Sequence, residues 1–270
     1  MQWRLLDDGP LHPYYNMALE EAVLKQHKEG VVPPTVRFYE WTPPGLSLGY
    51  FQKIVEEIDH FRCREQNIIP VRRLTGGRTI LHDREITYSI IVRKDLNFLP
   101  EGIVPSYRKI SRGIVRALRD LGIKVAVKKM SGDSDSGFSS ACFDAPSRYE
   151  VVAGGRKLVG SAQTRKEGVI LQHGSIPIKI DSDLLYSLLK YEEPRRRRIE
   201  KYRFQKKATD LSTESDREIK TDKIKQNLVA EWENEFEVKI SSGKLTPEEK
   251  TLAHRLKQEK YSSKEWNHKY

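Results

Sequence analysis

The alternation of apolar and polar residues along the chain predicts several short strands. Residues 36–41, Val-Arg-Phe-Tyr-Glu-Trp, alternate in this way, and residues 85–92 form a run of mainly β-branched and aromatic residues. Further strands are predicted over residues 124–127, 169–173 and 175–178. The pair Gly154-Gly155 lies between the apolar runs 151–152 and 158–159 and is a strong two-residue turn signal. This stretch is therefore predicted to be a β-hairpin.

Apolar residues three and four positions apart predict the helices. One such stripe inside residues 106–121 consists of Ile110, Ile114, Val115 and Leu118. Further helices are predicted after a cap at Asn16 and over residues 54–64, 183–190, 219–235 and 246–260. Residues 195–220 begin with four arginines, and we interpret them as an exposed connection.

The order of these elements indicates the fold class. Strands and helices are mixed without strict alternation, which predicts an α+β protein with a mainly antiparallel mixed sheet flanked by helices. A chain of 270 residues is long enough to bury a substantial core. We divide it into a main domain, residues 1–215, and a C-terminal helical extension, residues 216–270, packed on it.

Composition narrows the class of protein and its location. No apolar run approaches the ~20 residues that a membrane-spanning helix needs. The first residues lack the basic and then apolar pattern of an export signal. The two cysteines, Cys63 and Cys142, do not make a disulfide framework, which favours a reducing compartment. We therefore expect a cytoplasmic protein without a membrane partner.

The formal net charge of +10 raises the question of a nucleic-acid partner. Much of the excess lies in residues 195–198 and 201–207, but no aromatic stacking motif or zinc-ligand spacing accompanies it. A basic surface attracts an acidic protein equally well. Charge alone leaves the partner open, and without a supporting motif we do not expect nucleic acid.

A cysteine and a lysine are the candidate catalytic pair. Cys142 follows a stretch rich in Ser, Gly and Asp, and Lys157 lies on the predicted hairpin. If the fold brings the ammonium near the thiol, it favours the thiolate, which is the nucleophilic form. The small residues 160–162, Gly-Ser-Ala, let a ligand approach the backbone. The alternative is a buried structural cysteine and a solvated lysine.

A glycine pair supplies a second candidate binding element. Gly76-Gly77 lets backbone N–H groups approach a ligand closely, although a bare pair is equally typical of an ordinary tight turn. No G-x-G-x-x-G motif is present, and residues 155–161 lack the lysine of a P-loop. His82 has no second histidine or cysteine at a metal-ligand spacing. We therefore expect neither a metal nor a nucleotide cofactor.

These motifs resemble those of the lipoate-protein ligase A and octanoyltransferase superfamily. The resemblance lies in residues 72–83 (Arg-Arg-Leu-Thr-Gly-Gly-Arg-Thr-Ile-Leu-His-Asp), 87–89 and 155–163, and covers about residues 36–178. It implies the biotin/lipoate protein ligase-like catalytic fold for residues 1–215. It also implies that Lys157 contacts the acyl carbonyl and that the acyl site is formed by Arg72, Gly76, Gly77, His82, Gly160, Ser161 and Ala162.

Two features place the resemblance in the octanoyltransferase branch. Arg78 stands where ATP-dependent ligases typically carry a third glycine, and residues 141–147, Ala-Cys-Phe-Asp-Ala-Pro-Ser, resemble the acyl-thioester loop of the transferases. C-terminal residues 245–249 and 265–267 are also similar to that branch, whereas Thr79 replaces its usual alanine.

This branch implies a specific acyl transfer. Cys142 would take an octanoyl group from octanoyl-acyl carrier protein and pass it to a lysine of the glycine cleavage H protein or another lipoyl domain. No metal or nucleotide is needed. Alternatives are an ATP-dependent lipoate-protein ligase, an amidotransferase between lipoyl domains, and a non-catalytic binding module.

Overall fold

The computed structural model describes residues 1–129, 149–218 and 220–270. Its strands are β1 (Gln2–Leu11), β2 (Thr35–Trp41), β3 (Gly45–Leu48), β4 (Ile69–Arg72), β5 (Ile80–His82), β6 (Glu85–Arg93), β7 (Val125–Lys129), β8 (Tyr149–Ala153), β9 (Arg156–Lys166), β10 (Val169–Pro177) and β11 (Lys239–Ser242). Its α-helices are α1 (Pro13–Lys28), α2 (Ile54–Glu57), α3 (His60–Glu65), α4 (Ile103–Arg119), α5 (Ser182–Leu188), α6 (Pro194–Lys207), α7 (Leu211–Glu214), α8 (Thr221–Phe236), α9 (Pro247–Leu256) and α10 (Lys264–Asn267).

The described strands form two sheets. The larger has the order β11-β1-β2-β6-β10-β9-β8-β7, and the smaller has the order β4-β3-β5. Only the pairs β1–β11, β1–β2 and β3–β4 are parallel within the described part of the chain. The observed architecture is a mainly antiparallel mixed sheet with flanking helices, which confirms the predicted fold class.

Helices cover both faces of the larger sheet. Strand β6 shows this directly, because Ile90 faces the core shared with α4 and α8, whereas Ile91 faces the core shared with α1 and α9. The predicted stripe of α4 is buried in the first of these cores. A third core lies between the smaller sheet, α5 and α6. In the described ranges no helix is both long and apolar enough to cross a membrane.

Several elements differ from the sequence prediction. The helix predicted over residues 54–64 is divided into α2 and α3, because Ile58 and Asp59 are extended and the Asp59 side chain caps α3. The arginine run is not an irregular connection but the first turn of α6, which starts at Pro194 and is anchored by buried Glu200 and Phe204 one turn apart. The rest of this helix is largely exposed, as expected. Strand β11 was missed because only Ile240 of its four residues is buried, so it carries almost no apolar pattern.

The C-terminal residues pack closely on the rest of the chain. Strand β11 extends the larger sheet beside β1, and α9 packs on α1. A buried bidentate ion pair joins Arg4 of β1 to Glu249 of α9, at 2.6 and 2.8 Å. The boundary at residues 215 and 216 stays a prediction.

Candidate active site

The candidate site is a cavity between α1, the centre of the larger sheet and the smaller sheet, with about 310 Å³ of empty space that includes part of the open solvent at its mouth. Its apolar wall comes from Met17, Tyr39, Trp41, Ile80, Gly160, Ala162 and Gly174, and its polar wall from Ser47, Arg73, His82, Thr87, His173 and Ser175. A second cavity, with about 460 Å³ of empty space on the same measure, adjoins it and shares the walls Ile80 and Ser175. Phe204 of α6 lines this second cavity.

Small residues on β9 and β10 keep the cavity open. Gly160 and Ala162 face it, while Ser161 between them lies on the opposite side of the strand, where its Oγ is 2.9 Å from the Tyr88 hydroxyl. A Cβ on Gly174 would lie 2.6 Å from the Tyr88 ring, so only glycine fits there. Of the three small residues predicted in this motif, the structure therefore places two in the cavity wall.

The Gly76-Gly77 loop is held by a close backbone contact. A Cβ on Gly49 would lie 1.9 Å from the carbonyl oxygen of Gly77, and Gly77 itself has a φ of 93°. The Tyr50 amide donates to Thr75 O at 2.8 Å across the same contact. Neither glycine lines the cavity, but the loop they form folds over Arg73, which does.

Arg73 is the arginine that reaches the cavity, and sequence reasoning missed it. Its Nη2 donates to the carbonyl oxygens of Gly76 and Arg78, both at 2.8 Å. Its Nη1 donates to Ser47 Oγ at 3.1 Å, and its Nε donates to Thr75 Oγ1 at 3.2 Å. One buried guanidinium thus holds both the glycine loop and two hydroxyl groups.

Arg72, the arginine that the sequence motif assigned to the acyl site, lies outside the cavity wall. Its guanidinium is fully buried and donates to five carbonyl oxygens, those of Gly49, Tyr50, Gln52, Trp266 and Asn267. It is absent from the lining of the cavity. The side chain therefore ties the loop at residues 49–52 to the C-terminus, and its predicted contact with substrate stays a prediction.

His82 lies at the cavity, where it joins a carboxylate to a hydroxyl. Its Nδ1 is 2.7 Å from Glu85 Oε1 and its Nε2 is 2.7 Å from Ser47 Oγ. Glu85 also accepts hydrogen bonds from Thr87 and Ser175. These neighbours fix the imidazole ring in one orientation.

A second carboxylate–imidazole–hydroxyl chain faces the same cavity. His173 Nδ1 is 2.9 Å from Glu20 Oε2, and His173 Nε2 is 2.6 Å from Thr75 Oγ1. All hydrogen-bonding groups of this chain have partners when the His173 imidazole carries its proton on Nδ1 and donates it to Glu20. The Thr75 hydroxyl then donates to His173 Nε2 and accepts from Arg73. Sequence reasoning missed this chain, although an acid at position 20 beside the apolar face of a predicted helix was the available signal.

Lys157 is buried, not solvated. It is 7% exposed, its Nζ lies 2.8 Å from Glu150 Oε1, and its carbonyl accepts a hydrogen bond from the Thr209 amide. Gly154 and Gly155 both have positive φ, which confirms the predicted hairpin that carries the lysine. Cys142 lies outside the described residues, so its distance from Lys157 stays a prediction.

Cys63 is unsuited to nucleophilic catalysis. Burial, and then the negative charge of Asp59, raises the pKa of its thiol to about 12. The described residues hold no cluster of three or more histidine, cysteine, aspartate or glutamate side chains able to bind a metal.

Comparison with known proteins gives the family. Residues 12–233 match the family described as lipoyl protein ligase A/B catalytic domain. The octanoyltransferase LipM of Moorella thermoacetica is 45% identical over 98% of this chain and 97% of its own length. The octanoyltransferase LipM of Bacillus subtilis is 41% identical over 99% of this chain and 98% of its own length.

Solved structures show the same fold. A lipoate-protein ligase A bound with ATP superposes with a TM-score of 0.81 at 24% identity, covering 99% of both chains. A bi-partite lipoate protein ligase from Thermoplasma acidophilum gives a TM-score of 0.82 at 23% identity, covering 99% of this chain and 96% of its own. The chain therefore belongs to the lipoyl protein ligase A/B catalytic-domain family, and it aligns over nearly its whole length with octanoyltransferases of that family.

Proposed function

We propose that this enzyme moves an octanoyl group from octanoyl-acyl carrier protein to a lysine of a lipoyl-domain protein, such as the glycine cleavage H protein. The near full-length identity to octanoyltransferases, 45% with the M. thermoacetica protein, carries the proposal. The cavity supports it, because Met17, Tyr39, Trp41 and Ala162 supply an apolar wall for an alkyl chain.

The reaction would proceed in two steps through Cys142. The thiolate attacks the carbonyl carbon of the donor thioester, a new C–S bond forms, and the carrier thiolate leaves and takes up a proton. The neutral amine of the acceptor lysine then attacks the acyl-cysteine. A C–N bond forms, the C–S bond to Cys142 breaks, and the amine proton is released to solvent.

Lys157 is the group that would assist both steps. An ammonium close to the thiol stabilises the thiolate, and the same charge stabilises the oxyanion that develops on the acyl carbonyl. The hairpin and the ion pair with Glu150 hold the lysine side chain in place. A nucleophilic thiol must stay reduced, so we also infer that the reaction takes place in the cytoplasm.

Two other reactions are the alternatives to this proposal. An ATP-dependent lipoate ligase would form an acyl adenylate and release pyrophosphate, and one structural neighbour has ATP bound. An amidotransferase would take its acyl group from a lipoyl domain instead of a carrier protein. Both alternatives differ from the proposal in the donor that loads the enzyme.

Intact-mass spectrometry separates the three reactions. We expect the enzyme mixed with octanoyl-acyl carrier protein alone to gain one octanoyl group, to lose it when a lipoyl domain is added, and to gain none as Cys142→Ala. Cys63→Ala is the matched control and should load normally. Octanoylation of the lipoyl domain that requires octanoate and ATP, with pyrophosphate release and no acyl adduct on the enzyme, would identify a ligase, and loading only from an octanoylated lipoyl domain would identify an amidotransferase.

A further inference from the structure

The two strand pairings that hold β9 are both interrupted at Lys157. Strand β10 pairs with β9 only as far as Gly160, three residues short of the lysine. On the other edge of β9, Val151 of β8 pairs with Val159 but Val152 pairs with Lys157, which is the register shift of a β-bulge. Regular sheet hydrogen bonds therefore hold the backbone of Lys157 only in part.

Residues that follow α6 take the place of β10 beside the lysine. Ala208 forms an isolated parallel bridge with Lys157, and the Thr209 amide donates to the Lys157 carbonyl at 2.9 Å. Because Lys157 is buried, its carbonyl needs a protein donor, and Thr209 supplies one. We call residues 208–214, which include α7, the bracing segment. Whatever holds this segment also holds the backbone of the lysine.

The bracing segment is anchored to the body of the protein. Asp210 is buried and accepts hydrogen bonds from the Thr213 amide at 2.8 Å, which caps α7, and from the Ile180 amide at 2.9 Å. Leu211 packs in the core shared with α4 and α8. Helix α7 is therefore a fixed point beside the hairpin that carries Lys157.

Glu214, the last residue of α7, joins this fixed point to the backbone on both sides of Lys157. Its Oε1 accepts hydrogen bonds from the Thr209 hydroxyl at 2.6 Å and from the Arg156 guanidinium at 2.8 Å. Thr209 is the hydrogen-bond partner of Lys157, and Arg156 is its neighbour in the chain. A Cβ on Gly154 would lie 3.3 Å from the same carboxylate, so the carboxylate also lies against the turn of the hairpin.

We propose that Glu214 is a positioning residue, which keeps the Lys157 ammonium at the reacting acyl group by bracing the backbone on both sides of the lysine. The inference rests on the proposed function, in which Lys157 assists both steps of the transfer. Without the carboxylate, Arg156 and Thr209 lose a shared acceptor, and the hairpin is free to move relative to α7. A misplacement of about 1 Å can reduce the rate of a well-oriented reaction by roughly 100-fold.

The first test measures the position of Lys157 directly, by acetylation with an N-hydroxysuccinimide ester and peptide mapping by mass spectrometry. Glu214→Ala should raise the labelling rate of Lys157 by roughly fivefold or more, because local opening of the hairpin exposes the side chain. Glu235→Ala is the matched control and should leave this rate unchanged. Glu235 is also mostly buried and also pairs with arginine, but it joins α8 to Arg112 and Arg116 of α4.

A double-variant cycle shows whether Glu214 acts through Lys157. Glu214→Ala should slow alkylation of Cys142 by iodoacetamide at neutral pH by roughly threefold or more, and higher pH should restore much of the rate. In the Lys157→Ala background the same substitution should have no further effect, which a general loss of structure would not produce. Glu214→Gln keeps an oxygen acceptor and should give a rate between those of Glu214→Ala and wild type.

Thr209→Val is a second variant that guards against misfolding of the first. It removes one of the two hydrogen bonds to Glu214 but keeps the amide that donates to Lys157, so it should shift both measurements in the same direction by a smaller factor. If no donor loads the wild-type enzyme, the proposed function is wrong, while the labelling of Lys157 still tests the brace. Unchanged labelling of Lys157 in both folded variants, or additive losses in the alkylation cycle, would overturn the positioning role.

Discussion

The imidazole of His82 lies flat on the indole of Trp41, with ring centroids 4.1 Å apart and planes inclined by 8°. The indole Nε1 donates to Thr87 Oγ1 at 2.8 Å, Thr87 donates to Glu85, and Glu85 lies 2.7 Å from His82 Nδ1. The stack and the three hydrogen bonds close a ring of buried side chains. These side chains beside the cavity therefore form one cooperative unit.

The first prediction concerns this unit. His82→Ala removes the imidazole partner of Glu85 and the stacking surface of Trp41, and should lower the free energy of unfolding by about 3–5 kcal/mol. Trp41→Phe keeps an aromatic surface but loses the donor to Thr87, and should cost about 1–3 kcal/mol. Urea unfolding followed by circular dichroism measures both. A double variant whose loss of stability equals the sum of the two single losses would contradict the cooperative unit.

The second prediction concerns the two thiols. Burial raises the pKa of Cys63 to about 12, so its thiolate is scarce at every pH below about 10. Iodoacetamide at neutral pH should therefore modify Cys142 in the folded enzyme and leave Cys63 unmodified. Peptide mapping by mass spectrometry reports both sites, and unfolding in urea is the control that should expose Cys63. Equal labelling rates in the folded state would disprove the assignment.

Patterns over a few neighbouring residues predicted those helices and turns that interactions between neighbouring residues determine. The stripe of α4 and the Gly154-Gly155 hairpin were predicted because a single face or a single turn determines each of them. The pairing of Glu20 with His173 joins residues 153 positions apart, and no local pattern contains it. The same limit explains Arg72, the last residue of β4, and Arg73, the residue after it, because adjacent extended residues point to opposite sides and only the tertiary structure shows which side is the cavity.

The third prediction concerns activation of the thiol by Lys157. An ammonium near a thiol lowers its pKa, so Lys157→Ala should slow alkylation of Cys142 near neutral pH, and higher pH should restore much of the rate. Lys157→Arg should rescue only in part, because the guanidinium has a different shape. The pH dependence of alkylation by stopped-flow or mass spectrometry measures the shift.

Glu150→Gln is the matched control for this lysine. It breaks the same ion pair, 2.8 Å long, but keeps the ammonium. If Lys157 activates the thiol, Glu150→Gln should leave alkylation at neutral pH as fast as wild type or faster. Identical pH profiles for wild type and Lys157→Ala would show that the lysine does not act on Cys142.

The fourth prediction concerns the basic helix α6. Its arginines are largely exposed, and Phe204 near its end lines the cavity that adjoins the candidate site. A basic helix here should attract an acidic carrier protein, so transfer at low carrier concentration should fall by roughly tenfold when salt is raised from low to physiological strength. The variant for this test replaces three exposed arginines, Arg195, Arg196 and Arg198, with glutamine.

The control removes the same charge from the C-terminal residues, by glutamine substitution of the exposed Lys239, Lys250 and Lys264. The α6 variant should lose most of the salt dependence of the second-order rate, and the control should keep it. A rate that is indifferent to salt in wild type would refute steering by this helix.

The fifth prediction distinguishes two roles for Arg72. Its guanidinium holds five carbonyl oxygens from two segments that are far apart in the sequence, and lysine has neither the planar fork nor the reach to replace it. Arg72→Lys should therefore lower the free energy of unfolding by about 3 kcal/mol or more, since hydrogen bonds to charged groups contribute about 1.5–3 kcal/mol each and are not additive. Amide hydrogen exchange should show faster opening of residues 49–52.

Arg62→Lys serves as the control, because Arg62 is exposed and pairs only at the surface with Glu65 in the described structure. That change should cost less than about 1 kcal/mol. If Arg72 only holds residues 49–52 and the C-terminus together, Arg72→Lys should lose stability while the folded fraction keeps the KM for the octanoyl donor. A direct contact with substrate predicts the reverse, a higher KM at unchanged stability. Urea unfolding and steady-state kinetics on the same preparation decide between the two, since the guanidinium cannot hold all five carbonyls and bind an acyl group at once.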